Sequence, residues 1–416
     1  MTAIDGDRLL ARLDALAQIS SGGPGVNRLA YGQQDVVARD LVAVWMTAAG
    51  LTVTLDEATN LIGRLPGRGG CSRLLVMGSH LDTVVNAGPL DGAYGVLAAI
   101  EVAAASHSLE HELVVVAFAN EEGARGTAGL SGSRAIGRPS TVDLDALDDD
   151  GVSLAARVRG AGGAPDAIGH AAWVDGSVVA YVELHVEQGP ILDRSGCQIG
   201  VVEAITGQRQ FDIEVLGEAN HAGTTPMEGR RDALVAAAEL VLAVERLAAD
   251  GGARVATTGR CVAEPGVRNV VPGRVHLAVD LRDTDAGRLE TATGELLAAA
   301  QRIGSSRQVA ISVERLHDVV ATPCHGAIRD AVAASADQLG LTWRSMVSGA
   351  THDGQSMSAI GPVGMVFVPS TGGVSHAPTE TTPPDDLVNG ANVVLATIVQ
   401  LDRGALCDHT VSAGES

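Results

Sequence analysis

Apolar and polar positions follow two rhythms along the 416-residue chain. Three runs are apolar almost without interruption: LLVMG, LVVVAF and VGMVFV, at about 74–79, 113–118 and 363–368. Such runs suit strands buried on both faces, as in a parallel sheet covered by helices. Apolar residues at helical spacing predict helices near 5–18, 35–49, 93–106, 231–249, 285–303, 325–339 and 385–402. In DVVARDLVAVWMTAAG the periodic stretch is followed by a glycine where a helix cap belongs. The middle of the chain alternates instead, giving strands near 209–217, 256–263, 274–282 and 308–315 with two helices between them. That β-α-β-β-α-β order suggests a ferredoxin-like α+β unit. The expected fold class is therefore α/β. A central, largely parallel sheet is flanked by helices and built from 1–206 and 322–416, with an α+β ferredoxin-like domain inserted over 207–321. The stretch 137–175 is acidic and then Gly/Ala-rich, and reads as an excursion of loops and helix.

Candidate chemistry gathers where the apolar runs end. His80 closes LLVMGSH, Asp82 follows two residues later, and Asp91 stands in LDG before a helix expected to begin near Ala93. The second run delivers the adjacent carboxylates Glu121 and Glu122, whose repulsion calls for a compensating positive charge. If the backbone there is extended, the two side chains point opposite ways, one to a cation and one to a water molecule. His185 lies within VVAYVELHVEQGP, and His376 lies in a Gly-rich loop after the run at 363–368. The glycines at 372 and 373 suggest positive φ or close approach to a ligand. His80, Asp91, Glu122, His185 and His376 read as the ligand set of a two-metal hydrolase. Glu121 stands where a water-activating base is needed, and Asp82 could steady His80 through its carboxylate. Imidazoles and carboxylates without cysteine suit Zn²⁺, Mn²⁺, Co²⁺ or Ni²⁺. Taken singly, each residue has a plainer reading: a surface turn for His80 and Asp91, a solvated pair for Glu121 and Glu122, a core histidine for His185.

Composition narrows the surroundings. Apolar residues make up 46% but aromatics only 2%, so the core must be aliphatic. A net charge of −21 argues against nucleic-acid or anionic-membrane partners. No apolar run reaches membrane-spanning length, and MTAIDGDRLLARLDALAQIS reads as a charged amphipathic helix rather than a secretory signal. Five scattered cysteines without paired spacing suggest reduced thiols, and hence a cytoplasmic protein.

Nine tracts in one order carry a family resemblance: GSHLDTV, LDGAYGV, NEEGAR, ELHVEQGPIL, GQRQFDIEVLGEANHAGTTPM, RNVVPG, DLRDTD, SGATHDGQ and FVPSTGGVSHAPTE. From about Gly78 to Glu380 the chain resembles the zinc-dependent amidase/carbamoylase branch of the M20 metallopeptidase-like family. That branch contains N-carbamoyl-L-amino-acid hydrolases, allantoate amidohydrolases and β-ureidopropionases.

The resemblance implies two divalent cations per subunit, zinc foremost. One would be held by His80, Asp91 and His185, the other by Asp91, Glu122 and His376, so that Asp91 bridges. It implies Glu121 as general base, and Gln208, His221, Asn269, Arg282 and Gly349 as substrate-binding positions, with His221 also serving catalysis. Arg282 could grip a carboxylate in bidentate fashion, or simply pair with Asp280 or Asp283 at a strand end. The implied activity is hydrolysis of a linear C–N bond in a ureido compound, foremost an N-carbamoyl-L-amino acid, giving amino acid, carbon dioxide and ammonia. Allantoate and N-carbamoyl-β-alanine are alternatives; an M20 aminoacylase or dipeptidase, or a non-catalytic binding protein on the same fold, are more distant ones. The resemblance also implies a homodimer formed by the inserted domain, and closure of that domain over substrate. Three departures stand out: GTAGLSGSRA where relatives often carry an aromatic after NEEGAR, SGATHDG in place of the commoner SGAGHDA, and Gln210 where many relatives have an aromatic. They border the substrate site and leave the ligands and base intact.

Overall fold

The computed structural model describes residues 3–69, 72–106 and 108–405. Cys71 and Cys407, two of the five thiols, lie outside them. The chain forms two compact units, one of residues 1–203 and 323–416 and one of residues 204–322.

The first unit opens with α1 (Gly6–Ala17), α2 (Gln33–Ala48), β1 (Thr52–Leu55), β2 (Leu61–Leu65), β3 (Leu74–His80), α3 (Ala93–Ala105) and β4 (Glu112–Phe118). It continues through α4 (Ser131–Gly137), α5 (Leu154–Gly160), β5 (Val178–Val186), α6 (Ile191–Ser195) and β6 (Ile199–Ile205). The second unit contains β7 (Gly207–Leu216), β8 (Asn220–His221), α7 (Ala233–Ala249), β9 (Val255–Glu264), β10 (Val270–Val271), β11 (Arg274–Asp283), α8 (Ala286–Arg307) and β12 (Ala310–Val319). The first unit resumes with β13 (Thr322–Pro323), α9 (Gly326–Gln338), β14 (Trp343–Ser348), α10 (Gly354–Met357), β15 (Val363–Val368) and α11 (Pro384–Gln400).

Its sheet has the order β1-β2-β4-β3-β5-β15-β6-β13, with β14 beside β6. The centre is parallel: β3 pairs with β4 and β5, and β5 with β15. The flanks are antiparallel, at β1–β2, β2–β4 and β15–β6. Every residue of β3, β5 and β15 is buried, which is why their sequences lack alternation. One face packs against α2, α3, α9 and α11 through an aliphatic core, with α1 laid on α3 and α11, and the other against a smaller cluster that includes Ile136 and Met357. Helix α3 is buried nearly throughout, and its one charge, Glu101, is held by Arg8 and Arg12 of α1 at 2.6 and 2.7 Å. The excursion at 137–175 contains α5 and two 3₁₀ segments, Pro139–Thr141 and Pro165–Ala171.

In the second unit a four-stranded antiparallel sheet, β12-β7-β11-β9, packs one face on α7 and α8. Alternation is clean along β11 and along β7 from Gln210 onward, as expected of a sheet covered on one side. Among the described residues no helix is long and apolar enough to cross a membrane.

Candidate metal centre

Parallel strands end together, and the loops at their carboxyl ends form the usual ligand crevice of an open α/β sheet. His80 is the last residue of β3 and His185 the penultimate one of β5. Glu121 and Glu122 follow β4, and His376 follows β15. Asp91 precedes α3, where Gly92 at φ +64° lets the backbone pass the His80 ring. A Cβ there would lie 2.4 Å from His80 Cε1.

Asp91 is the hub. Its Oδ1 is 3.2 Å from His185 Nε2 and 3.6 Å from His80 Nε2, while its Oδ2 is 3.0 Å from His376 Nε2. His376 Nε2 lies 3.4 Å from Glu122 Oε1, and His80 Nε2 lies 3.8 Å from Glu121 Oε2. Among the described residues, four groups have ligand atoms within 4.8 Å of one another: His80/Asp91/His185, Asp91/Glu122/His376 and His80/Glu121/Glu122 around this hub, and Glu183/His185/His352 beneath it.

Backbone geometry differs from the extended arrangement expected around Glu121. Asn120 adopts φ +54°, and Glu121 and Glu122 lie in a turn beyond β4. Both carboxylates therefore reach one cluster instead of facing opposite sides. Asp82 fixes that turn: its two carboxylate oxygens accept the Glu121 and Glu122 N–H groups, each at 3.2 Å. The sequence places this carboxylate in reach of His80, but it is 3.9 Å from Nδ1, and the hydrogen bond at 2.9 Å runs to the Asp82 carbonyl. Expected positive φ at the glycine pair is observed, with 65° at Gly372 and 73° at Gly373.

Electrostatics reflect four carboxylates, Asp82, Asp91, Glu121 and Glu122, beside three imidazoles. Burial lowers the His80 pKa, but Asp91, Glu121 and Asp82 outweigh it and hold the ring well above its ordinary value. The Asp91 hydrogen bond lifts His376 to about 9, against burial. Burial tends to raise Asp91, but the three imidazoles reverse this and hold it well below the usual carboxylate range. Glu121 is pushed well up, mainly by burial, and Glu122 is pushed up to about 7 by burial and then by Asp91.

These residues fit a cation. The Nδ1 atoms of His80 and His185 meet the carbonyls of Asp82 and Val186 at 2.9 Å, so Nδ1 carries a proton and Nε2 is the nitrogen turned to the cluster, able to ligate a cation that displaces its own proton. The Gly92 N–H donates to His185 Nε2 at 3.2 Å, in keeping with that atom as an acceptor. Glu121 Oε1 and Glu122 Oε1 are buried without a hydrogen-bond partner. Bare acceptors beside oriented imidazoles suit a hard or borderline divalent ion.

Two further residues belong here, to which the sequence alone assigns no role. Gln188, at φ +58°, donates through Nε2 to Asp91 Oδ2 at 2.8 Å, and its Oε1 is buried without a hydrogen-bond partner. Glu380 accepts the Leu90 and Asp91 N–H groups at 2.9 and 3.1 Å and the Ser375 hydroxyl at 2.7 Å. It thereby ties the Asp91 loop to the His376 loop. Both residues lie inside recognised tracts, ELHVEQGPIL and FVPSTGGVSHAPTE; only the side-chain partners separate them from their neighbours. Beneath His185, Glu183 is fully buried and accepts from the Ser79 and Tyr181 hydroxyls at 2.9 Å. His352 packs edge-on against His185 at 4.8 Å.

The remaining expected site residues are not part of this cluster. Gly349 is exposed beyond β14. His221 and Asn269 are exposed beside the short β8–β10 ladder of the second unit. His221 Nδ1 accepts the Gly223 and Thr224 N–H groups at 3.1 Å, which leaves the proton on Nε2 as an outward donor. Arg282 donates to Asp280 through Nε at 2.8 Å and Nη2 at 3.1 Å, the strand-end pairing that the sequence also allowed. Gln208 donates to Asp280 Oδ2 at 2.6 Å.

A hydrolase-type metal centre on an open α/β sheet is the class that fold and geometry define. Residues 76–400 match the family described as peptidase family M20/M25/M40, and the chain belongs to that family. It is 40% identical to an N-carbamoyl-L-amino acid amidohydrolase of Geobacillus stearothermophilus, over 96% of this chain and all of that protein. It is 35% identical to an allantoate amidohydrolase of Bacillus subtilis, over 94% of this chain and 96% of that one. A crystal structure of a hydantoinase/carbamoylase-family amidase from Burkholderia multivorans is 34% identical and superposes with a TM-score of 0.87, covering 97% of this chain and 99% of its own.

Proposed function

We propose that this chain is a dinuclear, metal-dependent amidohydrolase that cleaves the linear C–N bond of a ureido compound, foremost an N-carbamoyl-L-amino acid. The observation that most supports it is Asp91, whose Oδ1 faces His80 and His185 while its Oδ2 faces His376, itself beside Glu122. The 40% identical carbamoylase supports the substrate class.

His80, Asp91 and His185 would hold one divalent cation, and Asp91, Glu122 and His376 the other, foremost Zn²⁺; such a pair supplies Lewis acidity that activates water and polarises a carbonyl. Glu121 accepts the proton of the attacking water. Buried at the edge of the cluster, its carboxylate can carry that proton to the leaving nitrogen. Attack at the ureido carbon and loss of the amino-acid nitrogen leave carbamate, which breaks down to carbon dioxide and ammonia. His221 donates its Nε2 proton as a hydrogen bond to the developing oxyanion. Gln208 and Asn269 bind the ureido group, Arg282 the substrate carboxylate, and Gly349 offers backbone.

The chain acts as a homodimer through its inserted unit. Strand β9 is an edge strand ten residues long, with Val255 and Val262 at 45% and 48% exposure, and nearby α7 exposes Leu234, Val235 and Leu242. Such an edge invites pairing with a second copy. The thiols Cys197, Cys261 and Cys324 accord with a reducing cytoplasm.

The test is a ureido panel scored by ammonia release from metal-reconstituted protein. We expect N-carbamoyl-L-amino acids to turn over fastest. Turnover confined to allantoate or N-carbamoyl-β-alanine would redirect the substrate, and turnover only of N-acyl amino acids or dipeptides would overturn the reading.

A further inference from the structure

Strand register in the second unit assembles a polar patch on the sheet face opposite α7 and α8. Arg282 stands across from Gln208 and Asp280 from Gln210, and β12 sets His317 opposite Gln210. The alternate residues Phe211, Ile213, Val279 and Leu281 point the other way into the core, so the patch cannot rotate without unpacking the sheet.

Asp280 organises this face. Its Oδ2 accepts Gln208 Nε2 at 2.6 Å, Gln210 Nε2 at 3.2 Å and Arg282 Nη2 at 3.1 Å, and its Oδ1 accepts Arg282 Nε at 2.8 Å. A carboxylate offers acceptors only. Each glutamine must therefore turn its NH₂ toward Asp280 and its carbonyl away. The amide orientation, ordinarily ambiguous, is chemically fixed here. Gln210 thus adds a second outward carbonyl beside that of Gln208.

We propose that Asp280 is a positioning residue that fixes the amide polarity of Gln208 and Gln210, so that this face recognises ligand N–H donors, and that Gln210 is a specificity-determining residue favouring a terminal ureido NH₂. The proposal rests on the carbamoyl-hydrolase reading and adds to it which atoms read the ureido group. A ligand lacking that NH₂ leaves an outward carbonyl unpaired.

The experiment compares N-carbamoyl-L-alanine with N-formyl-L-alanine, which lacks the terminal NH₂. Binding is measured by calorimetry on the metal-loaded Glu121→Gln protein, so that no turnover interferes. In that background we expect tighter binding of the carbamoyl compound. Asp280→Asn, whose amide can donate as well as accept, should narrow the preference by about five-fold. Gln210→Leu, which leaves the Asp280–Arg282 pair in place, should narrow it by about two- to three-fold. Circular dichroism verifies that both variants fold. The proposal is overturned if the parent shows no preference, if the preference survives both substitutions, or if both ligands weaken equally, as a merely structural role would produce. Its failure is distinct from that of the functional reading: ammonia release by wild-type protein with an unmoved preference removes only the proposal. A preference that tracks Asp280 without any ammonia release removes only the reading.

Discussion

At the residue scale the chemistry turns on Glu121 and on the groups that hold Asp91. Glu121→Gln keeps the shape and removes the base; we expect kcat to fall by about 10²–10⁴-fold with little change in KM. Metal content, measured on the same sample, should be retained, and near-wild-type turnover would rule Glu121 out as the base. A second residue gives a pH signature away from the proposed ligands. Burial, aided by the Asp82 charge, pushes Asp35 from 3.8 up to about 7, while the Tyr31 N–H, Arg39 and Arg28 oppose it. Between those values the folded chain holds a proton that the unfolded chain has released. Stability from this group therefore falls as pH rises from about 4 to about 7, then levels. Asp35→Asn can still accept the Tyr31 N–H but cannot ionise. Its stability relative to wild type in urea denaturation should be greater at pH 8 than at pH 5, and an equal difference at both would contradict the assignment. Residue types at strand ends were legible in the sequence because His, Asp and Glu stood out against apolar runs. The roles of Gln188 and Glu380 were not, because an amide or carboxylate in a loop has many possible partners and only tertiary structure chooses among them.

At the element scale the site depends on turns that bring residues distant in sequence within a few ångströms. Gly92 is the sharpest case: it combines φ +64° with a backbone so close to the His80 ring that an added Cβ would stand 2.4 Å from it. Gly92→Ala must displace His80 or unwind the start of α3. We expect loss of metal at the His80/His185 side and at least about a ten-fold fall in activity; full metal occupancy would show that the ring has room to move. Unbroken apolar runs made β3, β4 and β15 readable, and helical spacing located α1, α2, α3, α7, α8, α9 and α11 to within a few residues. The short antiparallel flanks β1, β2 and β6 carry no comparable signal. Nor could the sequence show that Asn120 takes φ +54°, which replaces extended chain by a turn and brings Glu121 and Glu122 to one side. An asparagine tolerates that conformation without requiring it.

At the scale of the whole molecule, the proposed dimer and the proposed metal pair have separate consequences. The exposed valines of β9 and apolar residues of α7 are suited to a second copy. Val262→Arg should move the 42.3 kDa chain from dimer to monomer in sedimentation. A wild-type protein already monomeric at micromolar concentration would contradict the assembly. The cations would link the ends of β3, β4, β5 and β15, drawing together side chains as distant in sequence as His80 and His376. The most direct measurement is anomalous X-ray scattering from crystals of the protein loaded with Zn²⁺ or Mn²⁺. We expect two peaks, one beside His80 and His185 and one beside Glu122 and His376, with the Asp91 carboxylate between them. A single peak, or peaks away from Asp91, would contradict the bridging centre.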